Sequence, residues 1–282
     1  MKNNLKTAML LAAIGGLLIV IGGALKGGGG AAIGLGIGVV FCGGSYWFSD
    51  KLAIRAAKAQ PVTEQQFPEY YRIVRDLCQR NGTPLPTLYI SPDPQPNAFA
   101  TGRNPRHAAV CVNQGILDIL TWDELQGVLA HEISHVHNRD ILIGSVAAAV
   151  AMGITFMARM FMWASIFGGG GRDREGNVLG DLALIILAPV AAMLLQMALS
   201  RSREYEADRS GARLLGTGEP LARALEKLEL GAKRVPSAVD PAHAQAYIVN
   251  PLAGTKMSFK GLFSTHPPIE DRVARLRGGE WR

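Results

Sequence analysis

Two apolar runs open the chain, Thr7 to Leu25 and Ala31 to Phe48, separated by Lys26 and four glycines. Each approaches the roughly 20 residues that a helix needs to span hydrocarbon. The charged start at Lys2 and Lys6 also suits a cleaved signal peptide, but the first run is long for that purpose and feeds straight into the second. Two transmembrane helices are therefore expected over 1–48. Two further runs, Ile141 to about Phe167 and Leu182 to Leu199, flank the Gly-rich turn Gly168 to Asp181 and predict a helical hairpin over 141–199. Arg159 and Pro189 interrupt these runs, so a partly embedded or cavity-facing hairpin stays open.

The mixed polar and apolar stretches, 49–140 and 200–282, are expected to fold together as one domain into which the hairpin is inserted. Thr63 with Gln66 predicts a capped helix reaching about Arg80, and Asn81-Gly82 supplies its stop. Thr87 to Ser91, Ala98 to Gly102 and Ala108 to Asn113 read as short strands, with a turn at Asn104-Pro105. A small antiparallel β-sheet in a mainly α fold is the expectation. Thr121 with Glu124 forms a second capping box, and Leu125, Val128, Leu129, Ile133 and Val136 give the following helix one apolar stripe. Pro220 to Leu230 and Pro268 to Leu276 read as two more helices.

Composition agrees with a chain partly in lipid: 48% of residues are hydrophobic and 18% charged, against roughly 25% charged in an average soluble domain. A net charge of +6 comes without a basic run or aromatic-interleaved patch, so no nucleic-acid partner is expected. The basic residues instead orient the spans, since Lys and Arg concentrate on the cytoplasmic side. Lys2 and Lys6 precede the first span, Lys51, Arg55 and Lys58 follow the second, and Arg201, Arg203, Arg209 and Arg213 follow the fourth. Both termini and both polar regions should be cytoplasmic. Cys42, Cys78 and Cys111 show no CxxC pairing and fit a reducing compartment.

Chemistry enters with His131-Glu132-Ile133-Ser134-His135, an HExxH pattern on the capped helix. At 3.6 residues per turn the two histidines share one face and can grip one ion. Zinc suits imidazole nitrogen and leaves a position open for water at a catalytic site. Glu132 can take a proton from that water. Asn138 and Ile141 stand where a distal histidine motif would need Gly and His, so the third ligand must come from elsewhere. Glu204 and Asp208 are spaced i, i+4 on one helix face, so Glu204 can bind zinc while Asp208 orients a histidine. Glu206 competes but lacks an acidic partner one turn later. His137 is expected at the surface.

HEISHVHNRD, SREYEAD and the FSTHPPIEDRVARLR tail together resemble the HtpX-like membrane metallopeptidases, relatives of the CAAX prenyl proteases. The likeness covers nearly the whole chain. It implies a zincin-like, gluzincin-type catalytic domain with four membrane-associated helices, divided as 1–48, 49–140, 141–199 and 200–282. It also implies one zinc ion per chain on His131, His135 and Glu204, with Glu132 as catalytic base. By the same resemblance Asn97, Ala98, Phe99 and Ala100 form an edge strand to which a peptide substrate adds, a plain sheet strand being the alternative. His266 matches a position that helps hold the reacting peptide or its oxyanion; a capping or structural role stays open. The implied function is a bacterial inner-membrane zinc endopeptidase acting on damaged or misfolded membrane proteins.

Two rivals are kept. An intramembrane zinc protease would need the motif inside an apolar span, whereas Asp118, Asp123, Glu124, Asn138, Arg139 and Asp140 surround it here. A non-enzymatic metal-binding membrane scaffold would leave Glu132 without a use. The Pro236 to Gly261 stretch reads as a long surface loop or a cover over the site.

Overall fold

The computed structural model describes residues 2–146, 201–234 and 267–282. The second hairpin beyond residue 146, the Pro236 to Gly261 stretch and His266 lie outside the described residues. Helical hydrogen bonding runs through α1, Lys2–Ala56, but the helix doubles back. Cys42 Sγ reaches the Leu11 carbonyl oxygen at 3.5 Å. Gly34 packs so closely on Leu18 that a Cβ there would lie 2.2 Å from the Leu18 carbonyl oxygen. The turn falls on the glycine run between the two apolar stretches, where small residues let the backbones approach. Among the described residues no single helix is long and apolar enough to cross a membrane. One bent pair, Gly28–Gly44 with Tyr46–Ala56 at 62°, passes together by length and composition.

After α1 come β1 (Gln60–Pro61), α2 (Pro68–Asn81), β2 (Thr87–Ser91), β3 (Ala98–Gly102), β4 (Ala108–Asn113), α3 (Gln114–Ile119) and α4 (Trp122–His137). Helices α5 (Arg201–Leu215), α6 (Glu219–Arg234) and α7 (Ile269–Gly278) follow. The Gln66 side chain does accept from the Thr63 backbone N–H, yet this closes a turn rather than capping a helix. Helix α2 begins later, with Pro68 in its first turn, and stops at Gly82 in the left-handed region, φ 62°.

The sheet is mixed, in order β1-β2-β4-β3, which corrects the antiparallel expectation. Strands β2 and β4 pair in parallel, Leu88 opposite Val110, while β3 pairs antiparallel with β4 alone. The cause lies between β2 and β3, where Pro92, Asp93, Pro94, Gln95 and Pro96 stand. Three prolines cannot donate to a ladder or form a tight two-residue hairpin. The chain swings wide instead, held by Gly115 N–H to the Asp93 carbonyl, and β4 fills the gap. Strand β3 is thereby left at the edge.

The core lies between one sheet face and the helices. Leu88, Val110 and Val112 meet Tyr70, Ile73 and Leu77 of α2 and Leu125, Val128, Leu129 and Ile133 of α4. Helix α4 is the hub, contacting α2, α5, α6 and β3. Its start carries the predicted capping box, with Thr121 accepting from Glu124 N–H and the Glu124 carboxylate accepting from Thr121 N–H. Lys227 Nζ reaches that same carboxylate at 2.7 Å, which ties α6 to the start of α4.

Candidate metal centre

The apolar stripe of α4 faces the core, so the adjoining face carries His131 and His135 side by side beneath β3. Their Nε2 atoms are 3.2 Å apart. Helix α5 packs across α4 and brings in Glu204, whose carboxylate oxygens lie 3.6 Å from His131 Nε2 and 3.6 Å from His135 Nε2. One donor atom from each of the three residues falls within 4.8 Å of the others. Bonds of about 2.0–2.1 Å to a tetrahedral zinc set donors roughly 3.3–3.4 Å apart, so two imidazoles and a carboxylate at these separations fit that ion. Glu206 is exposed and pairs with Arg209 at 3.2 Å. Of the two candidates, Glu204 faces the histidines. His137 is exposed.

Both imidazoles are oriented from behind. Asp208 Oδ1 sits 2.9 Å from His131 Nδ1, and Asp140 Oδ2 sits 3.3 Å from His135 Nδ1. Such carboxylate partners fix the tautomer and point Nε2 at the metal. Asp140 follows directly on the end of α4, where Arg139 adopts φ 58° and turns the chain back under His135.

Behind Asp208 stands Arg272 of α7, with 0% of its surface exposed. Its Nε and Nη2 reach the two Asp208 oxygens at 2.8 and 2.7 Å, the two-pronged geometry that only a guanidinium supplies. Burial alone would raise the Asp208 pKa, but Arg272 and the His131 hydrogen bond outweigh it and bring the carboxyl down to about 2. At His131 burial opposes the charged ring, yet the hydrogen bonds to Asp208 and Glu204 prevail and raise its pKa to about 10. The carboxylates around His131 thus favour positive charge at the point where a cation binds.

Glu132 projects towards the sheet and is 5% exposed. Its Oε2 accepts the Ala100 N–H at 2.8 Å. Burial raises its pKa, which His131 and His135 oppose and Glu204 reinforces. A carboxylate so placed beside the cluster can take and return a proton.

Strand β3 carries Ala98, Phe99 and Ala100, with Asn97 just before it. The Asn97 carbonyl accepts from Asn113 N–H at 2.8 Å, so Asn97, Phe99 and Thr101 turn their backbone groups to β4. Alternation then directs those of Ala98, Ala100 and Gly102 outward, over the metal cluster. Gly102 N–H goes to Ser145 Oγ at 3.2 Å. The site therefore unites His131, Glu132, His135, Glu204 and Asp208 with the edge of β3 that pairs with no strand, where Phe99 and Ala100 are half-buried and Ala98 is buried.

Arg272, Asp140 and Ser145 were missed as site residues. Asp140 could have been found from its place just past the motif helix. Arg272 lies 64 positions from its partner, and no local pattern marks it.

The family model for Peptidase family M48 matches residues 64–280. Among curated proteins, the chain is 50% identical over 281 residues to the Protease HtpX homolog of Pelotomaculum thermopropionicum, covering 97% of this chain and 98% of that protein. It is 52% identical over 277 residues to the homolog of Syntrophotalea carbinolica, with the same coverage of 97% and 98%. To that of Thermococcus kodakarensis it is 49% identical over 276 residues, covering 97% and 94%. Among solved structures it resembles the crystal structure of S. mikatae Ste24p, with TM-score 0.52 and 20% identity. That alignment takes in 98% of this chain but spans only 65% of the Ste24p chain, and shows a shared fold.

Proposed function

Since the chain belongs to peptidase family M48 and is a metallopeptidase, we propose that it is a membrane-anchored zinc endopeptidase that cleaves polypeptides at the cytoplasmic face. The observation that carries this reading is the convergence of His131, His135 and Glu204 within 4.8 Å, with buried Glu132 alongside. The hairpin of α1 and the basic residues at its ends support the anchor and the orientation. A role in removing damaged or misfolded membrane proteins follows from the resemblance and fits a peptidase at that surface.

In this reading one zinc ion per chain is held by His131, His135 and Glu204, and it supplies Lewis acidity towards a water and a peptide carbonyl. The remaining work falls to the chain. Asp208 and Asp140 hold the two imidazoles in their ligating tautomers. Glu132, with Oε2 fixed by Ala100 N–H, takes the proton of the attacking water on Oε1 and passes it to the leaving amine nitrogen as the C–N bond breaks. The substrate lies along β3 and hydrogen-bonds to the outward backbone groups of Ala98 and to the Ala100 carbonyl, the Ala100 N–H being held by Glu132, with Asn97 and Phe99 keeping the strand on β4.

Glu132→Gln tests the assignment because it preserves shape and removes the base. Zinc content should stay near that of the unaltered chain while casein digestion falls by at least about a hundredfold. Digestion by the Gln variant at the original rate would sink the role of Glu132. Digestion that persists after the metal is removed by chelation would sink the zinc mechanism.

A further inference from the structure

The last limb of α1, Tyr46–Ala56, turns away from Gly28–Gly44 by 62° and sends a different face to the surface. Trp47, Phe48 and Leu52 are 55%, 54% and 43% exposed, whereas Ser49 is 1% exposed. Lys51 and Arg55 are exposed as well, turned towards the side of the limb that adjoins the sheet. A short helix with exposed aromatic and basic residues together has the composition of one lying at a membrane surface.

Between this limb and the sheet is an open cleft of about 530 Å³, lined by Lys51, Arg55 and Lys58 with Asp50, Tyr89 and Gln60 among its other walls. Three cations face one carboxylate. Among the described residues, none of the three cations makes an ion pair. Lys58 sits at φ 50°, a backbone position usually given to Gly or Asn at a helix end, so local geometry does not explain a lysine there. Favourable interaction with the helix C-terminus accounts for a cation in the last turn, but not for three cations converging on one hollow. Close by, Arg103 stacks on Trp47 at 4.7 Å and Lys51 lies 5.6 Å from the Phe48 ring centroid. The Phe48 ring thus stands beside Lys51, a residue that lines the cleft, and Trp47 adjoins it one position earlier.

We propose that this cleft binds the phosphate-bearing headgroup of an anionic phospholipid, with Lys51, Arg55 and Lys58 on the headgroup and Trp47 and Phe48 against the start of its acyl chains. The site is distinct from the metal centre, and it rests on the reading of α1 as a membrane anchor. The exposed rings of Trp47 and Phe48 next to Lys51 favour a lipid over free phosphate, which would use the cations alone.

The test uses the full chain in detergent, titrated with phosphatidylglycerol, phosphatidylcholine or inorganic phosphate, with bound lipid read by native mass spectrometry. Phosphatidylglycerol should bind at least about tenfold more tightly than phosphatidylcholine, since each basic residue near the surface contributes appreciably. Joint replacement Lys51→Gln, Arg55→Gln and Lys58→Gln should erase that preference, and joint Lys51→Arg, Arg55→Lys and Lys58→Arg should keep it. Equal binding of both lipids, or an unchanged preference in the Gln variant, would overturn the site. Displacement of phosphatidylglycerol by millimolar inorganic phosphate would reduce it to a general anion site and overturn the lipid assignment. Flotation with phosphatidylcholine vesicles tests the anchor separately: a chain that floats without lipid preference loses only the cleft, and one that does not float loses both.

Discussion

Arg272 has no access to solvent, yet its charge reaches the metal centre through one carboxylate and one imidazole. Replacing it with Met would leave the buried Asp208 with His131 alone and no guanidinium, a loss of about 3–5 kcal/mol by the usual cost of breaking such a pair. His131 would also lose its orientation, so zinc affinity should fall roughly 10–100-fold, measured by competition with a chelator on the folded fraction. A merely structural Arg272 would lower the melting temperature and leave that affinity unchanged. Arg272→Lys, which keeps charge but not the fork, should fall between. Acid sensitivity gives a second readout. Asp208 ionises at about 2 instead of 3.8, so its contribution of about 2 kcal/mol is complete above pH about 4 and is lost as the pH falls towards 2. Melting of the unaltered chain should show that loss, and Arg272→Met should lack it. Asp208 was legible because helical spacing alone pairs it with Glu204. Arg272 was not, because a lone Arg in a C-terminal helix reads as solvated and its burial depends on packing.

At the scale of elements, the site depends on how closely α5 and α6 approach α4. A Cβ on Gly211 would lie 3.0 Å from His131 N and 3.1 Å from the Ala130 carbonyl carbon. Gly211→Ala should push α5, and Glu204 with it, by a few tenths of an ångström and lower kcat by about tenfold, seen in casein turnover with zinc saturating. Gly127→Ala makes the contrast, since its Cβ would lie 2.4 Å from Leu221 N on α6. It should cost about 1–3 kcal/mol of stability, seen as a lower melting temperature. Helices α2, α4, α6 and α7 and three of the strands were legible because caps, prolines and apolar periodicity are local signals, whereas the six-residue α3 carries too little pattern to be read. The parallel pairing of β2 with β4 was not, since a strand's partner is chosen by the connection and the packing around it. Strand β1, with two residues, is too short to carry any pattern.

Across the whole molecule, metal and fold are coupled because His131 and Glu204 come from helices on either side of residues 147–200. Any ion that binds only the assembled pair stabilises that assembly, by about 4 kcal/mol at a thousandfold excess over Kd. Chelation should therefore lower the melting temperature as well as abolish cleavage, and added zinc should restore both. The doubling back of α1 was legible in its two apolar runs and the glycines between them. The bend after Gly44 was not, because the residues there, Ser45 to Phe48, carry no proline or charge and the first charge comes only at Asp50. Strand β3 carries a last consequence. In the proposed reading its outer edge meets the substrate through main-chain groups, those of Ala98 and the Ala100 carbonyl, which every polypeptide can match. A protease that reads its substrate through such an edge is largely indifferent to the letters of the sequence. What it discriminates is whether a segment has come loose from its own fold and lies stretched out, so that loss of structure itself becomes the recognition signal.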